Sequence, residues 1–238
     1  MSALAALALP QPSASAAAVI ANLRQAIAAQ APRSGATARP PIATGLGTLD
    51  ASLHGGLPRG KLVEVVGQMG KMSLTLRALA GATQRGEMVA LVDVADALDP
   101  RAAQQLGVDL ARTLWVRVKN GKDGLKALDL LLGAGGFGLV VMYLAGVTGP
   151  AAALTRGDQV WPRLAQRSEK SGSTVLVISD RSVVGSFAAV TLGCDEGQGI
   201  WEQSPGGRLR LHSQRTRIEV RRSRMGPPGD AELLTLRK

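Results

Sequence analysis

The stretch LVEVVGQMGKMSL, Leu62 to Leu74, decides how this chain is read. Leu62 to Val66 is a short apolar run bounded by Lys61 and Gly67 and predicts a strand. Leu74 to Thr83 predicts a helix. A strand, a glycine loop and a helix in that order are the setting of a phosphate loop, G-x-x-x-x-G-K-[ST], whose amides cradle phosphates at a helix N-terminus. In such a loop the Lys reaches the terminal phosphates and the hydroxyl holds Mg²⁺. The context fits, but the spacing does not: two residues, Gln68 and Met69, separate Gly67 from Gly70-Lys71 where the motif has four. Met72 stands in the hydroxyl position, and a thioether is a poor ligand for a hard cation. Ser73 comes one residue later, a rotation of about 100° around the helix.

On both sides of this loop the chain reads as α/β. Met88 to Asp93, Leu114 to Val118, Leu139 to Tyr143 and Thr174 to Ser179 predict further strands. Between them Ala102 to Leu106, Gly124 to Leu132 and Val160 to Lys170 predict helices. Leu139-Val140-Val141-Met142-Tyr143 is apolar throughout, as a buried parallel strand should be. Alternation of strands and helices implies a mostly parallel sheet covered on both faces. After Ser179 the pattern changes. Val190 to Gly193, Arg208 to His212, Arg215 to Val220 and Glu232 to Leu236 predict short strands of an antiparallel C-terminal extension.

Ahead of this body, Ser15 to Ala31 predicts a helix with Val19, Ile20, Leu23 and Ile27 on one face. Ala31 to Pro41 has the Pro, Gly and Ser of a linker. The expected organisation is an N-terminal helix and linker over 1–41 and one core domain over 42–238. The helix either packs back on its own domain or docks on a neighbouring protein.

Of the 238 residues, 45% are hydrophobic, enough for one α/β domain with a sizeable core. Aromatics are 3%, which argues against base-stacking platforms for single strands. A formal charge of +10 favours nucleic acid, an acidic partner or an anionic surface over the other reading, Arg used for solubility. One cysteine, Cys194, excludes an internal disulfide framework. Two histidines far apart, His54 and His212, argue against a catalytic or metal-binding His constellation, so no metal is expected. The opening run ALAALAL lacks a basic flank, and no apolar run reaches membrane-spanning length. The expectation is a cytoplasmic protein with no membrane partner.

Three segments carry a resemblance. Thr44-Gly45-Leu46-Gly47-Thr48-Leu49-Asp50, the run Gly55 to Gly67 (GGLPRGKLVEVVG), and LVDVADALDP (Leu91 to Pro100) followed by Leu106-Gly107-Val108-Asp109 resemble the core of the RecA recombinase family. The similarity runs from about Thr44 to the C-terminus and implies a RecA-like core. In that family a glutamate after the second strand activates the attacking water, and the matching position here is Ala95. An Asp that ends a later strand organises the metal, and Tyr143 matches it. A polar residue at the end of the fifth strand senses the terminal phosphate, and Arg181 matches it. With the short loop and Met72, every catalytic component is altered. The resemblance therefore implies a fold that no longer hydrolyses ATP, with no catalytic residue and no required cofactor. Gly67, Gly70, Lys71 and Ser73 are left as a degenerate nucleotide loop, and binding of ATP or ADP without hydrolysis stays open.

The family binds DNA through two loops inside the core. Here the corresponding segments, Gly149 to Asp158 and Ser182 to Ala188, are trimmed. Seven arginines crowd Arg208 to Arg224. Two family lysines that reach a neighbouring protomer's ATP are matched by Arg222 and Arg224. Arg217, Arg221, Arg222 and Arg224 are thus candidate partner or DNA contacts, and a solvated basic face is the other reading. The N-terminal helix is placed like the family's protomer-docking helix, which makes Val19, Ile20, Leu23 and Ile27 candidate docking residues.

Within the superfamily the chain most resembles the ImuA family, short degenerate relatives of RecA. They are encoded beside ImuB, an inactive Y-family-like polymerase, and an error-prone replicative-type DNA polymerase. The resemblance implies a non-catalytic accessory of damage-induced mutagenesis, or translesion synthesis, with RecA and those two polymerases as partners. A basic protein acting directly on DNA is the alternative, and an ATPase with an unusual loop is a third reading.

Overall fold

The computed structural model describes residues 25, 39–148, 160–203, 207, 209–226 and 232–237. The first five strands are β1 Leu62–Gly67, β2 Met88–Asp93, β3 Thr113–Arg117, β4 Phe137–Tyr143 and β5 Thr174–Ser179. The remaining four are β6 Val190–Cys194, β7 Gly197–Gln203, β8 Leu209–Ser223 and β9 Glu232–Arg237. They run side by side in the order β3-β2-β4-β5-β1-β6-β8-β7, with β9 on β8. The helices are α1 Gly47–Ser52, α2 Lys71–Gln84, α3 Pro100–Gln105, α4 Gly121–Ala134 and α5 Val160–Ser171.

β1, β2, β4 and β5 are buried along their whole length, as parallel strands covered on both faces must be. Their side chains alternate between two cores. Val63, Val65, Leu91, Leu139, Val141, Leu176 and Ile178 pack beneath α2 with Leu74 and Leu79. Leu62, Val92, Val140, Met142, Val175 and Val177 pack on the other face with Leu128 and Leu132 of α4 and Trp161 and Leu164 of α5. Helix starts follow the local chemistry. Asp99 accepts from the amides of Arg101 and Ala102 with Pro100 at the first turn of α3, and Asn120 accepts from the Asp123 amide at the start of α4. At the end of the sheet opposite the glycine loop, Arg59 makes a bidentate pair with Glu87 at 2.7 and 2.6 Å. Its Nε donates to the Pro40 carbonyl at 2.7 Å, so the body holds the chain from Pro40 onward.

The C-terminal region differs from the sequence expectation in three ways. β6 runs parallel to β1, with Val63 opposite Val190, and so belongs to the parallel sheet. The antiparallel part begins only with β8. The two strands expected over Arg208 to Val220 are one 15-residue strand, β8. Its last residues pair with β6, and its earlier residues pair with β7 and β9. β7 itself was not anticipated, because GQGIWEQ lacks a β-branched alternation. α1 was not anticipated either.

Among the described residues no helix is long and apolar enough to cross a membrane. The predicted N-terminal helix, with Val19, Ile20, Leu23 and Ile27, lies outside the described residues apart from Gln25, as does the loop Gly149 to Asp158.

Candidate functional site

The loop between β1 and α2 lies at the C-terminal ends of the parallel strands, where open α/β sheets hold ligands. Here the loop is folded down onto its own protein. The amides of Gln68 and Met69 both donate to the Cys194 carbonyl at the end of β6, at 2.9 and 3.1 Å. Gly67 has φ 134°, and a β-carbon there would sit 2.3 Å from that same oxygen. Gly70 has φ 76°, the left-handed region that favours glycine, and it opens α2. The Met69 thioether lies against Gly197 of β7, and Thr216 of β8 lies against Gly70. The antiparallel extension therefore covers the loop.

Lys71 is buried, and a buried ammonium needs a counter-charge. Its Nζ donates to the Gly67 carbonyl and to the Asp180 carboxylate. The second Asp180 oxygen accepts from the Gly146 amide at 2.8 Å. Burial pushes the Asp180 carboxyl up, but the bonds from Lys71 and Gly146 and the nearby cations outweigh it and hold the group below its ordinary 3.8. Tyr143 is buried beside this pair. Burial first, then the Asp180 and Asp93 charges, push its phenol up to about 12. Asp93 is fully buried and accepts from the Ala97 and Leu98 amides and from Trp115 Nε1, at 3.1, 3.0 and 3.2 Å. It thereby shapes the turn that carries Ala95. Ala95 and Met72 are partly buried and pack on the core.

A nucleotide triphosphate with Mg²⁺ does not fit the residues present. The first two loop amides bond Cys194, Thr216 fills the space above Gly70, and Lys71 already has an anion. The Thr216 hydroxyl is buried there without a hydrogen-bond partner among the described residues. Met72 is turned to the core, and neither Ala95 nor Tyr143 supplies a carboxylate. Ser73 is half-buried and its side chain is next along α2.

The segment after β5 is equally fixed. Fully buried Glu64 of β1 accepts from Ser182 Oγ and from the Val183 and Val184 amides at 2.8, 2.6 and 2.8 Å. A single 3₁₀ turn follows, Gly185–Phe187. Arg222 donates to the carbonyls of Gly185 and Ala188, and Arg224 to that of Ser186. These two candidate contact residues thus face their own chain. Arg221 is the extra residue where the β6–β8 register shifts, and it pairs with Asp195 and Glu219. Arg217 points outward beside Arg215 and lies 3.7 Å from Glu196. Side chains alternate along this part of β8: 215, 217 and 221 are exposed, and Thr216, Ile218 and Val220 are buried.

Sequence reasoning placed Gly67, Gly70, Lys71 and Tyr143 at one end of the sheet, and the structure brings them together there. It singled out Arg181 after β5, and the structure puts the neighbouring Asp180 on Lys71. Both residues are exposed, and of the two it is Asp180 that bonds Lys71. Glu64, Asp93 and Cys194 were missed as parts of the site. A charged residue inside an apolar strand was the available signal for Glu64.

Residues 34–225 match the family model described as the RecA N-terminal domain. Protein RecA of Streptomyces ambofaciens is 44% identical over 104 residues, covering 42% of this chain and 28% of that protein. Protein RecA of Tropheryma whipplei (strain Twist) is 32% identical over 198 residues, covering 76% of this chain and 43% of that protein. The chain thus spans less than half the length of these curated relatives. A crystal structure of the RadB recombinase has the same fold, with a TM-score of 0.58 at 19% identity, covering 82% of this chain and 95% of that one.

Proposed function

The chain belongs to the RecA family through its RecA N-terminal domain, and from that membership we propose a member that does not hydrolyse ATP and acts as an accessory to RecA itself. The single observation that carries this reading is Lys71, buried and bonded to Gly67 and Asp180 instead of facing an open loop. Loss of the metal-organising and water-activating carboxylates at Tyr143 and Ala95 supports it, because each such group contributes orders of magnitude in rate. A protomer that docks but cannot run the ATP cycle would stop a filament at its end. The finer assignment is to the ImuA type: an accessory of damage-induced translesion synthesis that limits RecA filaments and assists an ImuB-like protein and an error-prone polymerase.

The test is single-strand-DNA-dependent ATP hydrolysis by RecA, titrated with this protein, beside the same assay without RecA. The expected result is no turnover alone and a fall in the RecA rate at sub-stoichiometric levels. Turnover alone that is lost in Lys71→Ala would overturn the non-hydrolysing reading. A RecA rate that moves only at gross excess would overturn the filament-capping mechanism.

A second reading, direct binding of DNA, rests on the outward Arg215 and Arg217 of β8. It calls for salt-dependent affinity that weakens in Arg217→Ala.

A further inference from the structure

The end of β5 holds a carboxylate where a phosphate-binding loop would meet its ligand. Three features lie around the loop, and the first of them reaches that point. The Lys71 ammonium is buried and aimed at it. α2 begins at the loop itself, and its first intrahelical bond from the loop is Leu74 N to Gly70 O, which leaves the amides of Lys71, Met72 and Ser73 at the positive end of a 14-residue helix. The Thr216 hydroxyl is buried against Gly70 with no hydrogen-bond partner among the described residues. A lysine, a helix N-terminus and a hydroxyl are the donors that an oxyanion group takes. The anion present is Asp180, tied on its far side to the Gly146 amide beyond β4.

We propose that Asp180 is a built-in anion that stands in for a phosphate group at Lys71 and keeps the Gly67–Lys71 loop shut. The lock rests on the reading of this loop as closed to nucleotide, and it adds the agent that closes it. A carboxylate from the chain itself is always present at high effective concentration, so free phosphate or a nucleotide must displace it as well as bind. It also joins three segments, the loop before α2, the turn after β4 and the end of β5, through one side chain. Removal of the carboxylate leaves a buried ammonium without an anion, and such a group recruits one from solution.

The experiment is thermal unfolding of the full chain and of Asp180→Ala and Asp180→Asn, titrated with inorganic phosphate at constant ionic strength. The lock predicts a lowered Tm for both variants and a saturable gain with phosphate. That gain should reach about 4 °C at ten times the dissociation constant, with none in the wild type. The gain should disappear in Lys71→Met/Asp180→Ala. Asp180→Asn keeps the shape of the side chain and serves if Asp180→Ala does not fold. Variants without a phosphate-dependent gain would sink the lock and leave the non-hydrolysing reading intact. A wild type that gains as much as the variants would also sink it. Filter binding of labelled ATP to the wild type separates the two failures, since tight binding there would count against the closed loop itself.

Discussion

The Thr216 side chain occupies the position that a β-carbon on Gly70 would need, with its Cγ2 2.6 Å from that point. Gly70 also has φ 76°, and Gly86 has φ 80° but open space around it. Gly86→Ala therefore measures the left-handed backbone cost alone, about 1 kcal/mol. Gly70→Ala adds the collision with β8 and is expected to cost about 2 kcal/mol more. Urea midpoints of the two variants test this. Equal losses would mean that β8 is not seated on the loop.

How much of this was legible in the sequence depends on what each feature is made of. β1, the loop and α2 were readable because an apolar run, glycines and a helical run each leave a local signature. The direction of β6 was not. Val190 to Cys194 has the composition of either kind of strand, and only the crossover from β5 sets it parallel to β1. β7 was hidden because its Gly, Gln and Glu residues read as turn, while its pairing is supplied by β8. At the site, Met72, Ala95 and Tyr143 are visible as letters. The closure is not, because it is made by a backbone carbonyl, that of Cys194, and by the choice of Asp180 over Arg181 to face Lys71.

Glu64 is the anchor of the segment after β5, since three donors of residues 182 to 184 converge on its fully buried carboxylate. Glu64→Gln keeps the shape but weakens acceptors that are charge-assisted. It is expected to cost about 2 kcal/mol, and Glu64→Ala more, because the amides of Val183 and Val184 are then left without a partner. Amide hydrogen exchange should speed up at Val183 and Val184 before it does at β1. Uniform speeding across the sheet would mean that Glu64 supports the core and not this segment.

The Asp180 carboxyl titrates below its ordinary 3.8 in the folded protein. The folded state therefore holds fewer protons than the unfolded state in that window, and stability rises with pH across it. The contribution is complete above the unfolded value and is lost as pH falls through the folded one. The stability gap between wild type and Asp180→Asn should be flat above about pH 5 and shrink below about pH 4. A gap that widens on acidification would contradict the pairing with Lys71. Asp180 is two-fifths exposed, so added salt should narrow the gap as well.

Arg222 and Arg224 separate a structural role from a contact role. Their guanidinium groups donate to the carbonyls of Gly185 and Ser186 in the 3₁₀ turn and of Ala188 just after it. Loss of one such charge-assisted bond set costs about 1 to 2 kcal/mol. Arg222→Ala is expected to fall in that range, whereas Arg217→Ala, with an exposed pair at 3.7 Å, should change stability by less than about 0.5 kcal/mol. Limited proteolysis gives the local readout: cleavage between residues 182 and 188 should accelerate in Arg222→Ala and Arg224→Ala and stay unchanged in Arg217→Ala. DNA or partner affinity should show the reverse order, with Arg217→Ala the more damaging in a folded protein. If Arg222→Ala instead leaves stability and cleavage untouched while it abolishes an interaction, the arginine leaves its own carbonyls for a partner. The turn after β5 then releases it on docking.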